Sequence, residues 1–290
     1  MKLGLGTVQF GLDYGISNRQ GRTGEAEVGR ILRSAAGHGI ETVDTAALYG
    51  ASEAVLGRAM PSGAAFKVVT KTPGFGGSVS AVSASELSKS FASSLRRLRL
   101  PAVYGLLVHH AEDLLCESGA FLMDQMMRLQ QDGLVQKVGV SVYHGHQIER
   151  IMERYRIDLI QLPVNVLDQR PLAQGHLRAL KQAGVEVHAR SAFLQGVLLM
   201  PPESLPPYFH PLKKHLAQYH LCLRENSLSP LQGALGFLMG IDDIDTVIVG
   251  VASRFQLDEL AGCAAPVVGM PYHRFACSDE AMLNPSAWRL

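Results

Sequence analysis

Regular alternation of strand-like and helix-like segments is the feature that most constrains how this sequence can fold. Eight short apolar runs are typical of buried strands, and each is followed by a segment typical of a helix. The predicted strands cover 3–7, 41–44, 66–71, 103–109, 135–141, 159–162, 185–189 and 246–249. The predicted helices cover 25–38, 52–60, 85–98, 121–131, 145–155, 172–183, 230–239 and 256–263.

The alternation predicts a parallel sheet, because parallel neighbours need crossover connections. The chain has 290 residues, and eight repeats in that length fit a (β/α)8 barrel, which typically takes about 250. A doubly wound open sheet is the alternative, but it would usually carry a phosphate loop after an early strand. The early stretch LGLGTVQFG contains no GxGxxG. We therefore expect residues 1–290 to form a single barrel domain.

Two irregular segments interrupt or follow the repeats. Residues 195–228, between the seventh strand and its helix, contain PPESLPPYFHP. A long proline-rich loop in a compact domain is more often functional than structural, and in a barrel it would lie on the catalytic face. For the tail, 270–290, two interpretations stay open: a cover over the same face, or a mobile terminus.

Composition argues against several classes of protein. The net charge is +1 and the basic residues are scattered, so we expect no nucleic-acid partner. No window holds 18 apolar residues, and the N-terminus is too short and glycine-rich for a signal peptide. The four cysteines form no CxxC pair, which predicts free thiols in a reducing compartment. We expect a cytoplasmic protein with no membrane partner.

Four polar residues lie at, or just after, the ends of three consecutive predicted strands. Asp44 and Tyr49 occur in VDTAALYG, Lys71 ends VVTK, and His109 ends LLVH. The carboxyl ends of barrel strands all open on one face, so the four side chains are expected to surround one mouth.

The residue types suggest carbonyl reduction. A free phenol titrates near ~10, and an ammonium from Lys71, held by Asp44, is expected to lower the pKa of Tyr49. Tyr49 could then protonate a carbonyl oxygen as hydride reaches the carbon, while His109 hydrogen-bonds the same oxygen. Side chains cannot supply hydride, so a nicotinamide cofactor and a small-molecule carbonyl substrate are implied.

Over essentially its full length the sequence resembles the aldo-keto reductases. DTAALYG matches the family signature DTAxxYG, and VVTK and LLVH match the strands that carry its catalytic lysine and histidine. The resemblance implies the (β/α)8 fold and a catalytic tetrad of Asp44, Tyr49, Lys71 and His109. It also implies a nicotinamide cofactor, usually NADPH, with NADH as an alternative. The family's N-terminal hairpin plug is expected to be absent, because the chain begins almost at the first strand.

The same resemblance assigns contacts with the nicotinamide and the pyrophosphate. Gly6 and Thr7 would lie close to the cofactor, and Ser141 and Gln161 would bind the carboxamide, although Val142 replaces the usual Asn. Arg190 stands where the family often has an aromatic residue, and its guanidinium could stack on the nicotinamide. The residues expected beside the pyrophosphate are Ser191, Phe193, Leu194, Gln195 and Gly196.

The eighth strand and its helix resemble the segment that binds the adenosine phosphate. Backbone amides at the helix N-terminus are a natural anion site, and here they would come from Gly250, Ala252 and Ser253. Arg254 and Gln256 would meet a 2′-phosphate. Asn165 has two interpretations, as a cofactor contact or as a structural hydrogen-bonding group.

The tetrad does not specify the substrate. Loops at 10–22 and 74–79, the insertion and the tail are expected to select it, and their polar residues would suit a sugar-like compound: Tyr14, Tyr208, His210, Tyr272 and His273. A non-catalytic nucleotide-binding regulatory module of the same fold is one alternative. A metal-dependent hydrolase is another, which would use His109, His110, His144 and His146.

Overall fold

The strands form a closed barrel in a computed structural model that describes residues 1–18 and 20–288. All neighbours are parallel, the order follows the sequence, and the last strand pairs with the first. Strands β1 to β8 are Leu3–Gly6, Thr42–Asp44, Lys67–Lys71, Val103–Val108, Val135–Ser141, Leu159–Pro163, Glu186–Arg190 and Thr246–Gly250. The predicted (β/α)8 fold is confirmed, and in the described chain only Met1 and Lys2 precede β1.

Helices surround the barrel. Helices α1 to α7 are Val8–Gly11, Glu25–Gly37, Ser52–Ala59, Ala81–Leu98, Glu112–Leu115, Ala120–Gln131 and Gly145–Arg154. Helices α8 to α13 are Arg170–Ala173, His176–Gln182, Lys213–Glu225, Pro230–Met239, Arg254–Gly262 and Glu280–Leu283. Short 3-10 helices cover Leu194–Leu199, Pro202–Ser204, Pro207–Leu212, Tyr272–Phe275 and Pro285–Ala287. Nowhere in residues 1–18 and 20–288 is a helix long and apolar enough to cross a membrane.

Local sequence signals explain some of the helix ends. Ser229 caps α11 by accepting the Gln232 N–H, ahead of Pro230 at the first helical position. The predicted single helix 172–183 is instead two helices, α8 and α9. Gly175, with a φ of +76°, separates them. A left-handed residue inside the segment ends one helix and starts the next.

The insertion 195–228 is not simply a loop, because it contains the 13-residue helix α10. Leu216, Tyr219 and Leu223 are buried along one face of this helix, at the spacing that an amphipathic helix requires. The tail packs on the insertion: the ring of Phe275 lies 5.1 Å from that of Tyr219. The tail therefore docks beside the insertion.

A polar cluster occupies the amino-terminal end of the barrel interior. Glu186 accepts hydrogen bonds from Tyr104 Oη at 2.6 Å and Lys137 Nζ at 2.5 Å, and its other oxygen lies 2.7 Å from His188 Nε2. Burial alone would raise the pKa of Glu186, but these partners lower it to about 2. Alternate residues of a strand share a face, so Glu186, His188 and Arg190 form one inward column beneath the mouth.

Candidate active site

A buried ion pair lies at the centre of the carboxyl-terminal mouth. Lys71 Nζ lies 2.6 and 2.7 Å from the two carboxylate oxygens of Asp44, and it also donates to the Thr45 carbonyl at 3.0 Å. Both side chains are at least 95% buried, with exposures of 1% and 5%. Asp44 ends β2 and Lys71 ends β3, so adjacent parallel strands bring the pair together.

Tyr49 and His109 lie beside this pair. Lys71 Nζ is 3.4 Å from Tyr49 Oη, and it lies 5.0 Å from the centre of the Tyr49 ring. The ring of His109 meets that of Tyr49 edge-on at 5.7 Å. His109 donates its backbone N–H to Thr72 Oγ1 at 3.3 Å, and its buried Nδ1 has no hydrogen-bond partner among the described residues. The predicted tetrad residues are thus neighbours in space.

The electrostatics of the site differ from the sequence-based expectation. The pKa of Tyr49 is raised above its ordinary value, mainly by burial and then by the charge of Asp44, so the expected lowering is wrong. Lys71 is itself buried and neutralised by Asp44 at 2.6 Å, which limits its effect on the phenol. Burial, and next the charge of Lys71, lower the pKa of His109 to about 3. At neutral pH the phenol is therefore protonated and the imidazole is neutral.

Gln161 and Arg190 make contacts that the sequence did not predict. Gln161 Nε2 donates to Asp44 Oδ1 at 2.8 Å, which fixes the carboxylate from a third strand. Arg190 stacks its guanidinium 4.0 Å from the centre of the Tyr143 ring and donates to the Val142 carbonyl at 2.9 Å. The described stacking partner of Arg190 is therefore a tyrosine of the chain itself.

A cavity of about 660 Å³ opens at this mouth, within the range of roughly 300–1,000 Å³ typical of ligand sites. It runs over the end of β8 to α12. Most of the predicted site residues line it: Gly6, Thr7, Asp44, Tyr49, His109, Ser141, Gln161, Arg190, Ser191, Phe193, Gln195, Gly196, Gly250, Ala252 and Gln256.

Four predicted residues do not line the cavity. Lys71 is buried beneath Tyr49, and Leu194 is buried in the loop after β7. Ser253 caps α12 by accepting the Gln256 N–H, and Arg254 pairs with Asp258 at 3.0 Å.

Asn165 makes structural hydrogen bonds in the loop after β6. Its Oδ1 accepts the backbone N–H groups of Leu167 and Asp168, both at 2.9 Å, and its Nδ2 donates to the Ser191 carbonyl. These bonds hold the loop after β6, and Asn165 does not line the cavity.

The structure adds lining residues that the sequence did not single out, including Gln9, Ser17, Tyr143 and Glu259. Gln9 lies directly over Gly250, where an added Cβ would come within 2.6 Å of its amide atoms. Its Oε1 is buried and has no hydrogen-bond partner in the described structure. Buried polar atoms are nearly always paired, so an unpaired atom in a cavity wall suggests a contact with a ligand. The sequence alone does not show this signal.

The loop after β7 has an unusual backbone. Ser191, Leu194 and Gln195 have φ values of +60°, +48° and +53°, and Gly196 follows at +98°. Left-handed residues other than glycine are uncommon and cluster at ligand sites. An added Cβ at Gly196 would lie 2.1 Å from Ser17 Oγ, so this loop closely contacts the loop after β1.

The five residues predicted to suit a sugar-like substrate lie in different parts of the structure. Tyr14 lines the cavity, whereas Tyr208 and Tyr272 donate their hydroxyls to the carbonyls of Ala281 and Gly233. His210 and His273 are exposed elsewhere. The tail and the loop 74–79 contribute no lining residue within the described chain.

The histidines of the hydrolase alternative form two stacked pairs. His109 stacks on His110 at 5.0 Å, and His144 stacks on His146 at 5.4 Å. Across residues 1–18 and 20–288, no three His, Cys, Asp or Glu side chains gather as metal ligands. The four cysteines are unpaired.

Comparisons with known proteins agree with this geometry. The model of the "Aldo/keto reductase family" matches residues 2–267. An aldo-keto reductase from Mycolicibacterium vanbaalenii is 30% identical over 194 residues, which span 63% of this chain and 64% of that relative.

Two solved structures share the fold. The aldo-keto reductase AKR11C1 from Bacillus halodurans, in its holo form, has a TM-score of 0.75 at 21% identity. The match covers 100% of this chain and 93% of the AKR11C1 chain. The glycerol dehydrogenase AKR11B4 from Gluconobacter oxydans has a TM-score of 0.70 at 20% identity, with coverage of 94% and 89%. With a family match over nearly the whole sequence and a barrel that carries the tetrad residues at one mouth, this chain belongs to the aldo/keto reductase family.

Proposed function

We propose that the protein reduces an aldehyde or ketone to an alcohol, with a nicotinamide dinucleotide as hydride donor and Tyr49 as proton donor. One observation carries the proposal. The Tyr49 hydroxyl lies 3.4 Å from an ammonium that Asp44 holds, in the wall of a cavity of about 660 Å³. When bound, the nicotinamide supplies the hydride that side chains cannot.

The four side chains have distinct roles in this proposal. Tyr49 is protonated at neutral pH because its pKa is raised by burial and by Asp44, so its proton is available to a carbonyl oxygen. Lys71 would stabilise the phenolate left behind, and Asp44 keeps Lys71 in position. Neutral His109, with a free ring nitrogen, would hydrogen-bond the same oxygen. General acid catalysis of this kind contributes roughly 10²–10⁴-fold.

The cavity walls suit a dinucleotide. Gln9 Oε1 and His109 Nδ1 are buried without a hydrogen-bond partner in the described structure, and both residues line the cavity, which makes them candidates for ligand contacts. The left-handed residues Ser191, Leu194 and Gln195 give the loop after β7 an irregular backbone of the kind that clusters at ligand sites. Ser141 and Gln161 would bind the nicotinamide carboxamide, the latter through Oε1, since its Nε2 is engaged with Asp44.

The lining favours a polar carbonyl compound. Tyr14 adds a phenol hydroxyl to the cavity, and burial raises its pKa to about 12, so it stays a neutral donor. The structural relative from Gluconobacter oxydans is a glycerol dehydrogenase by name. We extend the proposal to hydroxylated, sugar-like aldehydes and ketones.

The test is turnover with a defined set of aldehydes and with NADH or NADPH, followed by absorbance at 340 nm. We expect cofactor oxidation to match alcohol formation. Lys71→Met should abolish it, and Lys67→Met on the same strand should retain it. Cofactor binding without turnover of any aldehyde would instead favour the non-catalytic regulatory module.

A further inference from the structure

The residues at the α12 end of the cavity bear on which nicotinamide cofactor the protein binds. We use this name for the lining residues Val251, Ala252, Gln256, Glu259 and Leu260. Reduction at Tyr49 requires the nicotinamide at the barrel mouth, and the cavity continues from there past β8 to this outer helix. If the proposed function holds, the adenosine half of the dinucleotide lies at the α12 end.

One carboxylate, Glu259, lines this end, and a second, Glu27, lies at the start of α12. Glu27, in the first turn of α2, accepts the backbone N–H of Arg254 at 2.7 Å. Arg254 is the first residue of α12, so the chain's own carboxylate already occupies a position where a helix N-terminus would hold an anion. The bond from Arg254 is the main cause of a lowered Glu27 pKa, which keeps the group ionised. Glu259 lines the cavity itself.

Two arginines near this end, Arg254 and Arg30, are already paired. Arg254 Nε donates to Asp258 Oδ2 at 3.0 Å, and Asp258 also accepts from Ser34 and lies 3.0 Å from His38 Nε2. Arg30 Nε donates to Glu27 at 2.5 Å. Gln256 turns its Oε1 back to the Ala252 N–H at 2.8 Å. Of the described residues that line the α12 end, none is a lysine or arginine.

We propose that this end of the cavity accepts the free ribose of NADH and rejects the 2′-phosphate of NADPH. A 2′-phosphate carries roughly −1.5 to −2 charges near neutral pH. It would lie beside Glu259 and near Glu27, and none of the described residues that line this end is a lysine or arginine. A carboxylate can instead accept hydrogen bonds from ribose hydroxyls. Like charges near a protein surface change affinity by about tenfold or more.

The experiment is a titration of the full-length protein with NADH and NADPH, read by quenching of the single tryptophan and by nucleotide fluorescence. We expect a dissociation constant at least about tenfold lower for NADH. Glu27→Gln keeps an acceptor for the Arg254 N–H but removes the charge, so it should shrink the preference several-fold by strengthening NADPH binding. Glu25→Gln is the matched control, because Glu25 pairs with Arg58 at 2.9 Å and should leave the preference unchanged.

Two results would overturn the proposal. The first is equal or tighter binding of NADPH by the wild-type protein. The second is a Glu27→Gln variant with an unchanged preference. Failure to bind either nucleotide would count against the proposed function itself, whereas tight binding of both with equal affinity would count only against this inference.

Discussion

Removal of Lys71 should destabilise the protein far more than removal of an exposed lysine on the same strand. Lys71→Met leaves the Asp44 carboxylate buried, with Gln161 Nε2 at 2.8 Å as a remaining donor. Breaking one side of a buried ion pair typically costs about 3–5 kcal/mol. For 290 residues the entropy of unfolding is about 0.6 kcal/mol per kelvin, so the midpoint should fall by about 5–8 °C.

The control is Lys67→Met, which breaks the exposed pair with Glu41 at 2.8 Å. Exposed pairs contribute about 0–1 kcal/mol, so its midpoint should shift by at most ~2 °C. Thermal unfolding followed by circular dichroism would compare both variants with Asp44→Asn and with the Asp44→Asn/Lys71→Met double variant. The double variant should be less destabilised than the sum of the two single variants, because it leaves no lone charge. Strict additivity, or equal shifts for Lys67→Met and Lys71→Met, would refute this reasoning.

Three further outcomes are expected. Because the pKa of Tyr49 is raised, reductase activity should show no loss from phenol ionisation between about pH 6 and 9; a basic limb that disappears in Tyr49→Phe would contradict this. Gly196→Ala should weaken cofactor binding about tenfold or more, because the added Cβ would lie 2.1 Å from Ser17 Oγ. Gly262→Ala is the control and should not weaken binding, because the space around Gly262 is open. Isothermal titration calorimetry measures the affinity of both variants. The pKa of His109 is about 3 in the folded protein, so the unfolded chain binds this proton at a higher pH than the folded protein does. The free energy of unfolding should therefore fall as the pH drops from about 6.5 towards 3. His109→Gln should reduce that fall, as measured by urea titrations at each pH.

The barrel and the clustering of Asp44, Tyr49, Lys71 and His109 at one mouth could be predicted because both follow from short-range patterns. Strand ends in a parallel barrel share one face, so Asp44, Lys71 and His109 needed only a correct strand assignment. The break at Gly175 was missed because a continuous apolar pattern runs across it. Helix α10 was missed because a proline-rich segment precedes it, although Leu216 and Tyr219 have helical spacing.

Other features depend on distances that a sequence does not carry. The pKa of Tyr49 is raised mainly by burial and next by the charge of Asp44, and burial cannot be read from the sequence. The bond from Gln161 to Asp44 joins residues 117 positions apart, and that from Arg254 to Glu27 joins residues 227 apart. The Arg254–Asp258 pair, in contrast, has the i, i+4 spacing of a helix and could have been anticipated.

The central claim is that this site transfers hydride to a carbonyl carbon with Tyr49 as the acid. The most direct test gives the enzyme 4-deuterated NADH of either stereochemistry and an aldehyde, and measures deuterium at the alcohol carbon by mass spectrometry. The wild-type protein should place one deuterium there with one of the two stereoisomers, and Tyr49→Phe should do so at least about 100-fold more slowly while it binds NADH normally. Equal rates of deuterium transfer by Tyr49→Phe and wild-type protein would contradict the account.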